Sequence, residues 1–416
     1  MPKTVTSNGK FSLNLLCLAF LLSSFSSAKA QTPGVPACRQ QAVVAINDLI
    51  GHFWQGPPDS GEIVTDSHHR LTLAGRRRSL WARGMFYIAL ENFYQITKDP
   101  TVGERLRAEW NHSKQENTDA EAEAVGEHSH TNFASDDSGW CAMVYLAAYR
   151  ATGDPVALER ARGIVNNAYA RWMDDQLGGG IWYADPGHKV KGVISPRDKS
   201  LYATGLVYAS VRLYAITHEH SFLDRALLCY NWMESHLRRE DNLYWCGYNV
   251  TGPVGASRPN DVHEAGSVTF LSGNMGMGVL HALLFRLTGD DIFRQRALRT
   301  ATALCRGLLV NADGVFIDDR DAWTNGTFAG EWVREVLTLP GISPADKEVL
   351  CKTATSIFTK ARTADGFYGG SWSGPAQGEG SRWFRGGSTP QQIMTSASSV
   401  NMIVAAAALS CSANTP

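Results

Sequence analysis

The chain lacks a surplus of charge of either sign. Its 39 Lys and Arg residues stand against 40 Asp and Glu, for a formal net charge of −1, so no global field draws it to nucleic acid or to an anionic membrane. Past residue 30 it lacks any run of about 18 uninterrupted apolar residues, which argues against a membrane-spanning helix. Ser410–Pro416 lacks the hydrophobic end of a lipid-anchor signal, so no membrane anchor is expected. No CxxC pair occurs among the cysteines, and a zinc site is not expected. His68–His69 and His128-Ser-His130 have no third ligand at helical spacing and read as solvated loops, while Asp318-Asp-Arg-Asp321 lacks the ligand spacing of a calcium loop. GxSxG, P-loop and HExxH signatures are missing. So are convincing runs of the period-two alternation that marks strands. No metal or other cofactor is expected from what remains.

What is present begins with a leader. Lys3 and Lys10 form a positive region, Phe11–Phe25 an apolar stretch, and Ala28-Lys29-Ala30 a small-residue cleavage site before Gln31. Residues 1–30 are therefore expected to be a signal peptide, and residues 31–416 one secreted domain, a monomer. Cys17 falls in the leader. Of the cysteines that follow (Cys38, Cys141, Cys229, Cys246, Cys305, Cys351, Cys411), Cys229–Cys246 and Cys305–Cys351 are candidate disulfides in an exported chain. The odd number leaves a thiol, for which Cys141 on an apolar helix face is the candidate. Asn111, Asn249 and Asn325 lie in sequons, which matter in a eukaryotic secretory route. The chain carries 12 Trp and 13 Tyr, flat amphipathic rings that either stack on sugar faces or fill a core.

The organising feature is a repeat. Tyr94-Gln-Ile-Thr97-Lys-Asp99 is echoed by Tyr149-Arg-Ala-Thr152-Gly-Asp154, Tyr214-Ala-Ile-Thr217-His-Glu219 and Phe285-Arg-Leu-Thr288-Gly-Asp290. Each copy follows one helix-period apolar run and opens another, so each reads as a tight helical hairpin. Weaker copies extend the pattern to about twelve helices, near 37–53, 78–97, 101–116, 136–152, 155–175, 199–217, 221–237, 268–288, 291–310, 327–338, 343–361 and 388–411. Six hairpins form either an open solenoid or a closed (α/α)6 barrel. The all-α barrel is the expected fold, because neither end shows a polar capping repeat. The connections before the even helices are long (54–77, 117–135, 176–198, 239–267, 311–326 and 362–387) and gather at one end of such a ring. They carry many glycines and aromatic residues, among them Trp182, Tyr183, Trp245 and Trp372. Long ordered loops are uncommon unless functional, so that end is expected to be an aromatic-walled cleft fit for a polysaccharide.

Asp-Asp occurs at 136–137, 174–175, 290–291 and 318–319, and position separates them. Only Asp136–Asp137 opens an even helix at the long-loop end. Asp290–Asp291 lies in a hairpin corner at the other end, and Asp174–Asp175 closes an odd helix. The plain alternative is helix capping by Ser135 or Asp136. The chemical reading is a glycosidase pair: a helix N-terminus favours one ionised carboxylate, its charge discourages ionisation of the neighbour, and adjacent residues can reach the ~5–5.5 Å carboxyl separation of retaining enzymes.

Ser135-Asp-Asp-Ser-Gly-Trp140, followed by the Tyr149–Asp154 corner, Gly179-Gly-Ile-Trp-Tyr183, Asn274-Met-Gly276, Phe328-Ala-Gly330 with Arg334, and Trp372-Ser-Gly-Pro375, resembles glycoside hydrolase family 76 in order along essentially all of residues 31–416. The resemblance implies an (α/α)6 barrel, no metal, and retaining endo-hydrolysis of α-1,6-mannan such as that of fungal walls. Asp136 would be the nucleophile and Asp137 the acid/base. Gly180, Trp182, Tyr183 and Asn274 would line sugar subsites, with Arg334 and Trp372 joining them. The sequence departs from the family's pattern at Ala329, at Thr204-Gly205 and at Cys141 after Trp140. A transglycosylase that remodels mannan, or an inactive mannan-binding protein, is the alternative.

Overall fold

The computed structural model describes residues 37–64, 76–125, 134–187, 194–260, 268–317, 325–376 and 389–409. The expected signal segment, the His68–His69 and His128–His130 pairs and Asp318–Asp321 lie outside them. In chain order the helices are α1 (Ala37–Phe53), α2 (Arg76–Thr97), α3 (Pro100–Val125), α4 (Ser135–Thr152), α5 (Pro155–Trp172), α6 (Thr204–Thr217), α7 (His220–His236), α8 (Leu271–Thr288) and α9 (Asp291–Arg306). They are followed by α10 (Ala329–Glu331, running on as a π-helix over Trp332–Val336), α11 (Pro344–Lys360) and α12 (Thr389–Ala408).

The repeated sequence is a helix-to-helix corner with a specific hydrogen-bond plan. In each copy the threonine hydroxyl donates back to the carbonyl four residues earlier: Thr97 to Phe93 at 2.8 Å, Thr152 to Ala148 at 2.7 Å, Thr217 to Leu213 at 2.9 Å and Thr288 to Leu284 at 2.7 Å. The next residue (Lys98, Gly153, His218, Gly289) takes the left-handed conformation, with φ of 55°, 71°, 60° and 72°. Its N–H donates at 2.8 Å to the carbonyl of the aromatic that opens the motif, which closes the helix. Asp99, Asp154 and Asp290 then cap the following helix, accepting from the N–H two residues on at 2.8, 3.0 and 3.0 Å. Glu219 makes no side-chain cap; its longer carboxylate reaches Arg162 at 2.8 Å instead.

These corners place the even helices inside and the odd helices outside. α2 packs on α4, α4 on α6, α6 on α8, α8 on α10 and α10 on α12, and α12 returns to α2. That last contact closes the ring, so the fold is an α/α barrel rather than an open solenoid. The inner helices approach closely where they carry small residues. A Cβ on Gly139 would stand 2.6 Å from the backbone nitrogen of Leu206, and one on Gly330 would stand 2.3 Å from Asn92 Oδ1. Neither position has room for a side chain.

The long connections hold short strands that the sequence pattern does not show. β1 (Trp54–Gln55) pairs antiparallel with β2 (Glu62–Ile63), and β3 (Lys199–Ser200), β4 (Gly247–Asn249) and β5 (Gly252–Pro253) form a small antiparallel sheet. Strands of two or three residues are too short to leave a periodic signature. The helix expected from residue 199 accordingly begins at Thr204, after β3 and a 3₁₀ turn over Leu201–Ala203.

Both candidate disulfides are corrected. Cys229, Cys246 and Cys305 are buried thiols, as are Cys38 and Cys141, whereas Cys351 is disulfide-bonded. Cys229 Sγ lies 3.9 Å from Met173 Sδ, and Cys305 Sγ donates to the carbonyl of Asp346 at 3.5 Å. Of the sequon asparagines, Asn111 is exposed, Asn249 is partly buried with its amide donating to Asp198, and Asn325 is buried. No helix among the described residues is long and apolar enough to cross a membrane, and no group of three or more of their His, Cys, Asp or Glu side chains is placed to hold a metal ion.

Candidate active site

Asp136 and Asp137 occupy the first turn of α4, each about 1% exposed. The capping position falls to Ala134, in extended backbone with no side-chain cap bond. Ser135 turns outward from its own helix: its N–H and its hydroxyl both donate to the carbonyl of Tyr183, at 2.8 and 3.1 Å. Asp136 Oδ1 accepts from the N–H of Asp137 at 2.9 Å. Asp136 thus satisfies one free N–H of the first turn, while the N-cap position itself is Ala134. The two carboxylates lie at the positive end of a helix, on the side of the ring where the long connections collect.

The floor beneath them is aromatic. Trp140, one turn along α4, has its ring 5.8 Å from that of Phe328, and Tyr208 meets Phe328 edge-on at 5.6 Å. At the far ends of the inner helices lies an ion network whose arginines are partly exposed. Arg150 pairs with Glu91 through two bonds of 3.0 and 2.9 Å. Arg212 donates to both Glu331 and Glu335 at 2.6 Å. Arg286 reaches Glu335 at 2.7 Å. Burial opposes ionisation of Glu331, but Arg334, Arg212 and Arg150 overcome it and hold the carboxyl well below the usual range.

The structure separates the expected site residues into two groups. Gly180, Trp182 and Tyr183 lie on the connection that docks against the first turn of α4. Gly180 is in left-handed backbone, and a Cβ there would stand 2.5 Å from the Trp232 ring. Trp182 is half-buried, its Nε1–H donating to Asp174 Oδ2 at 2.8 Å, with Lys199 Nζ 4.7 Å from the ring centroid. Tyr183 is buried, and its ring begins a row that continues to Tyr202 at 5.5 Å and on to Phe270, stacked on Tyr202 at 4.2 Å.

The other three stand elsewhere. Asn274 is fully buried with its amide engaged internally. Its nitrogen donates to Thr269 Oγ1 at 2.8 Å and to the Phe270 carbonyl at 2.7 Å, and its oxygen accepts from the Tyr244 N–H at 2.9 Å. It braces the turn that carries Phe270. Trp372 is 0% exposed, its indole N–H donating to Ser399 Oγ on α12 at 2.9 Å, so it is a core ring rather than a cleft wall. Arg334 belongs to the ion network, donating to Glu331 and to Asn92 at 2.7 Å. Arg150 of that network lies along α4 from Asp137 by a distance of about 20 Å at 1.5 Å per residue. Arg334 is therefore remote from the acidic pair. Tyr202, Phe270 and Lys199 were not singled out from sequence. None of the three left a signal, and Lys199 in Arg197-Asp198-Lys199-Ser200 reads as the end of a solvated loop.

A closed α/α barrel that buries two adjacent carboxylates at its loop end presents the acid pair that a glycoside hydrolase requires. The chain matches the model of glycosyl hydrolase family 76 over residues 38–408, and it belongs to that family. No curated protein matches the chain in sequence. Among solved structures, the α-1,6-mannanase of Salegentibacter sp. superposes with a TM-score of 0.64 at 17% identity, covering 89% of this chain and 99% of that one. An inactive variant of that enzyme, with two consecutive aspartates changed to asparagine and α-1,6-mannotriose bound, also gives 0.64 at 17% identity, over 90% and 99%. A family 76 glycoside hydrolase from Bacteroides thetaiotaomicron gives 0.64 at 17% identity, over 89% and 77%. At these identities the likeness is one of fold.

Proposed function

We propose that this glycoside hydrolase is a secreted, monomeric, endo-acting enzyme that cleaves α-1,6-mannosidic bonds in mannan of the fungal-wall type, with retention of configuration. The observation that carries the reading is the pair of adjacent buried carboxylates in the first turn of α4, beside the connection that carries Trp182 and Tyr183. In this reading Asp136 attacks the anomeric carbon while Asp137 gives its proton to the departing glycosidic oxygen. A mannosyl ester on Asp136 results. Asp137, now a carboxylate, takes a proton from water as that water attacks the same carbon, and Asp136 leaves as the free carboxylate. Trp182 offers a partly exposed ring on the connection that docks against the first turn of α4. The mannanase from Salegentibacter supports the substrate class, since its inactive double-aspartate variant holds α-1,6-mannotriose.

Incubation with unbranched α-1,6-mannan tests the proposal. Short oligosaccharides whose newly formed reducing ends appear first as the α anomer, followed by NMR, are expected. Absence of cleavage, or first appearance of the β anomer, contradicts it.

A further inference from the structure

Lys199 is the one lysine among the described residues whose side chain is completely buried. Burying an ammonium is costly, and an apolar side chain of similar volume generally fills such a space at lower free energy. The use of the charge is visible in its partners. Lys199 Nζ donates to Asp174 Oδ1 at 2.6 Å, to the Asp174 carbonyl at 3.2 Å and to the Gly180 carbonyl at 3.3 Å. It also lies 4.7 Å from the centroid of the Trp182 ring, whose indole N–H donates to the same Asp174 carboxylate. One ammonium thus gathers the start, the middle and the end of the Asp174–Trp182 excursion. Leu177, Gly178, Gly179 and Gly180 all adopt positive φ in that excursion, between 55° and 116°. Its backbone is closed by the Met173–Ile181 bridge and its tip by Trp232 Nε1–H on the Leu177 carbonyl at 2.9 Å, and Lys199 is the group that joins Asp174, Gly180 and Trp182 to one another.

The clamp leads to the acidic pair. Trp182 bridges antiparallel to Lys199 itself, and the Tyr183 N–H donates to the Asp198 carbonyl at 2.8 Å. The Tyr183 carbonyl in turn accepts the N–H and hydroxyl of Ser135, the residue before Asp136. We infer that Lys199 is a positioning residue for the glycosidase reaction: it fixes the Asp174–Tyr183 connection and, through the Tyr183–Ser135 contact, sets the placement of Asp136 and Asp137. Being wholly buried, it touches no substrate. The inference rests on the reading of Asp136 and Asp137 as the catalytic pair.

Two variants test it, Lys199→Met and Asp174→Asn, the second retaining the ammonium in case the first does not fold. Each is assayed for kcat and KM on α-1,6-mannan and for amide hydrogen exchange in peptides covering residues 134–140. Misplacement of a catalytic group by about 1 Å costs on the order of 100-fold, so kcat should fall by roughly that factor, with a smaller rise in KM as the Trp182 ring loses its support. Exchange over 134–140 should quicken, with α8 and α9 as protected as in the wild type. A wild-type kcat in either folded variant, or loss of activity with unchanged exchange over 134–140, overturns the inference. If the wild-type enzyme leaves mannan uncut, the substrate proposal fails, and the exchange arm still decides whether Lys199 holds the turn.

Discussion

Ser135 gives both of its donors to one acceptor, the carbonyl of Tyr183, at 2.8 and 3.1 Å. This contact ties the helix that carries the acidic pair to the connection that carries Trp182. Ser135→Ala removes the hydroxyl bond and keeps the backbone one, so it should destabilise by about 1 kcal/mol and lower kcat only modestly. Thermal melts together with steady-state kinetics check both halves.

The two glycines where α4 meets α6 should respond differently to the same change. A Cβ on Gly139 meets backbone atoms of Leu206 and Gly205 at 2.6 and 2.9 Å, whereas one on Gly205 meets its nearest atom at 3.4 Å, ordinary contact. Gly139→Ala should therefore cost about 1–3 kcal/mol or more by forcing the helices apart, and should reduce activity by shifting the first turn of α4. Gly205→Ala should be nearly neutral. Equal melting temperatures for the two variants would contradict this packing.

Trp182 and Trp372 should separate function from stability. Trp372 is fully buried and bonded to Ser399, so Trp372→Ala should cost about 3–5 kcal/mol. Trp182→Ala should lose much less stability and should raise KM for mannan. Denaturation midpoints and mannan binding by the folded fraction report each effect.

His281 should make the fold sensitive to acid. Its Nε2 lies 2.9 Å from the Tyr244 hydroxyl and its Nδ1 lies 2.9 Å from that of Tyr230. Tyr244 donates to Glu234, so its oxygen accepts from Nε2–H, and Nδ1 then accepts from Tyr230, whose oxygen receives Arg296 at 2.9 Å. The ring is neutral. Burial, then Arg296, Arg299 and Arg238, hold its pKa well below 6.5. In the unfolded chain the same ring takes up a proton below about pH 6.5. The unfolded state then binds more protons, and stability should fall by up to about 1.4 kcal/mol per pH unit as pH drops below that value. His281→Gln should flatten the slope in denaturation curves recorded between pH 7 and 5.

The parts legible in the sequence are those decided by local chemistry. Thr97, Thr152, Thr217 and Thr288 recur because each corner needs a hydroxyl that folds back on its own helix, and Asp99, Asp154 and Asp290 recur because the next helix needs a cap. Helix order, the barrel and the position of Asp136–Asp137 at the long-loop end follow from those repeats. Side-chain direction in the long connections does not, because it depends on distant partners. Trp372 turns inward to reach Ser399, and Arg334 belongs to a network assembled from α2, α4, α6, α8 and α10. The cysteines show the same limit, since Cys229 and Cys305 face Met173 and Asp346 rather than another thiol.

The most direct test of the central claim is kcat for Asp136→Asn and Asp137→Asn on unbranched α-1,6-mannan, measured beside their melting temperatures. Each change keeps the side chain's shape and removes one carboxylate. If the pair carries the chemistry, each variant should fold like the wild type and lose at least about a thousandfold in kcat. Near wild-type turnover in either variant would contradict the assignment and leave the pair as a structural feature of the first turn of α4.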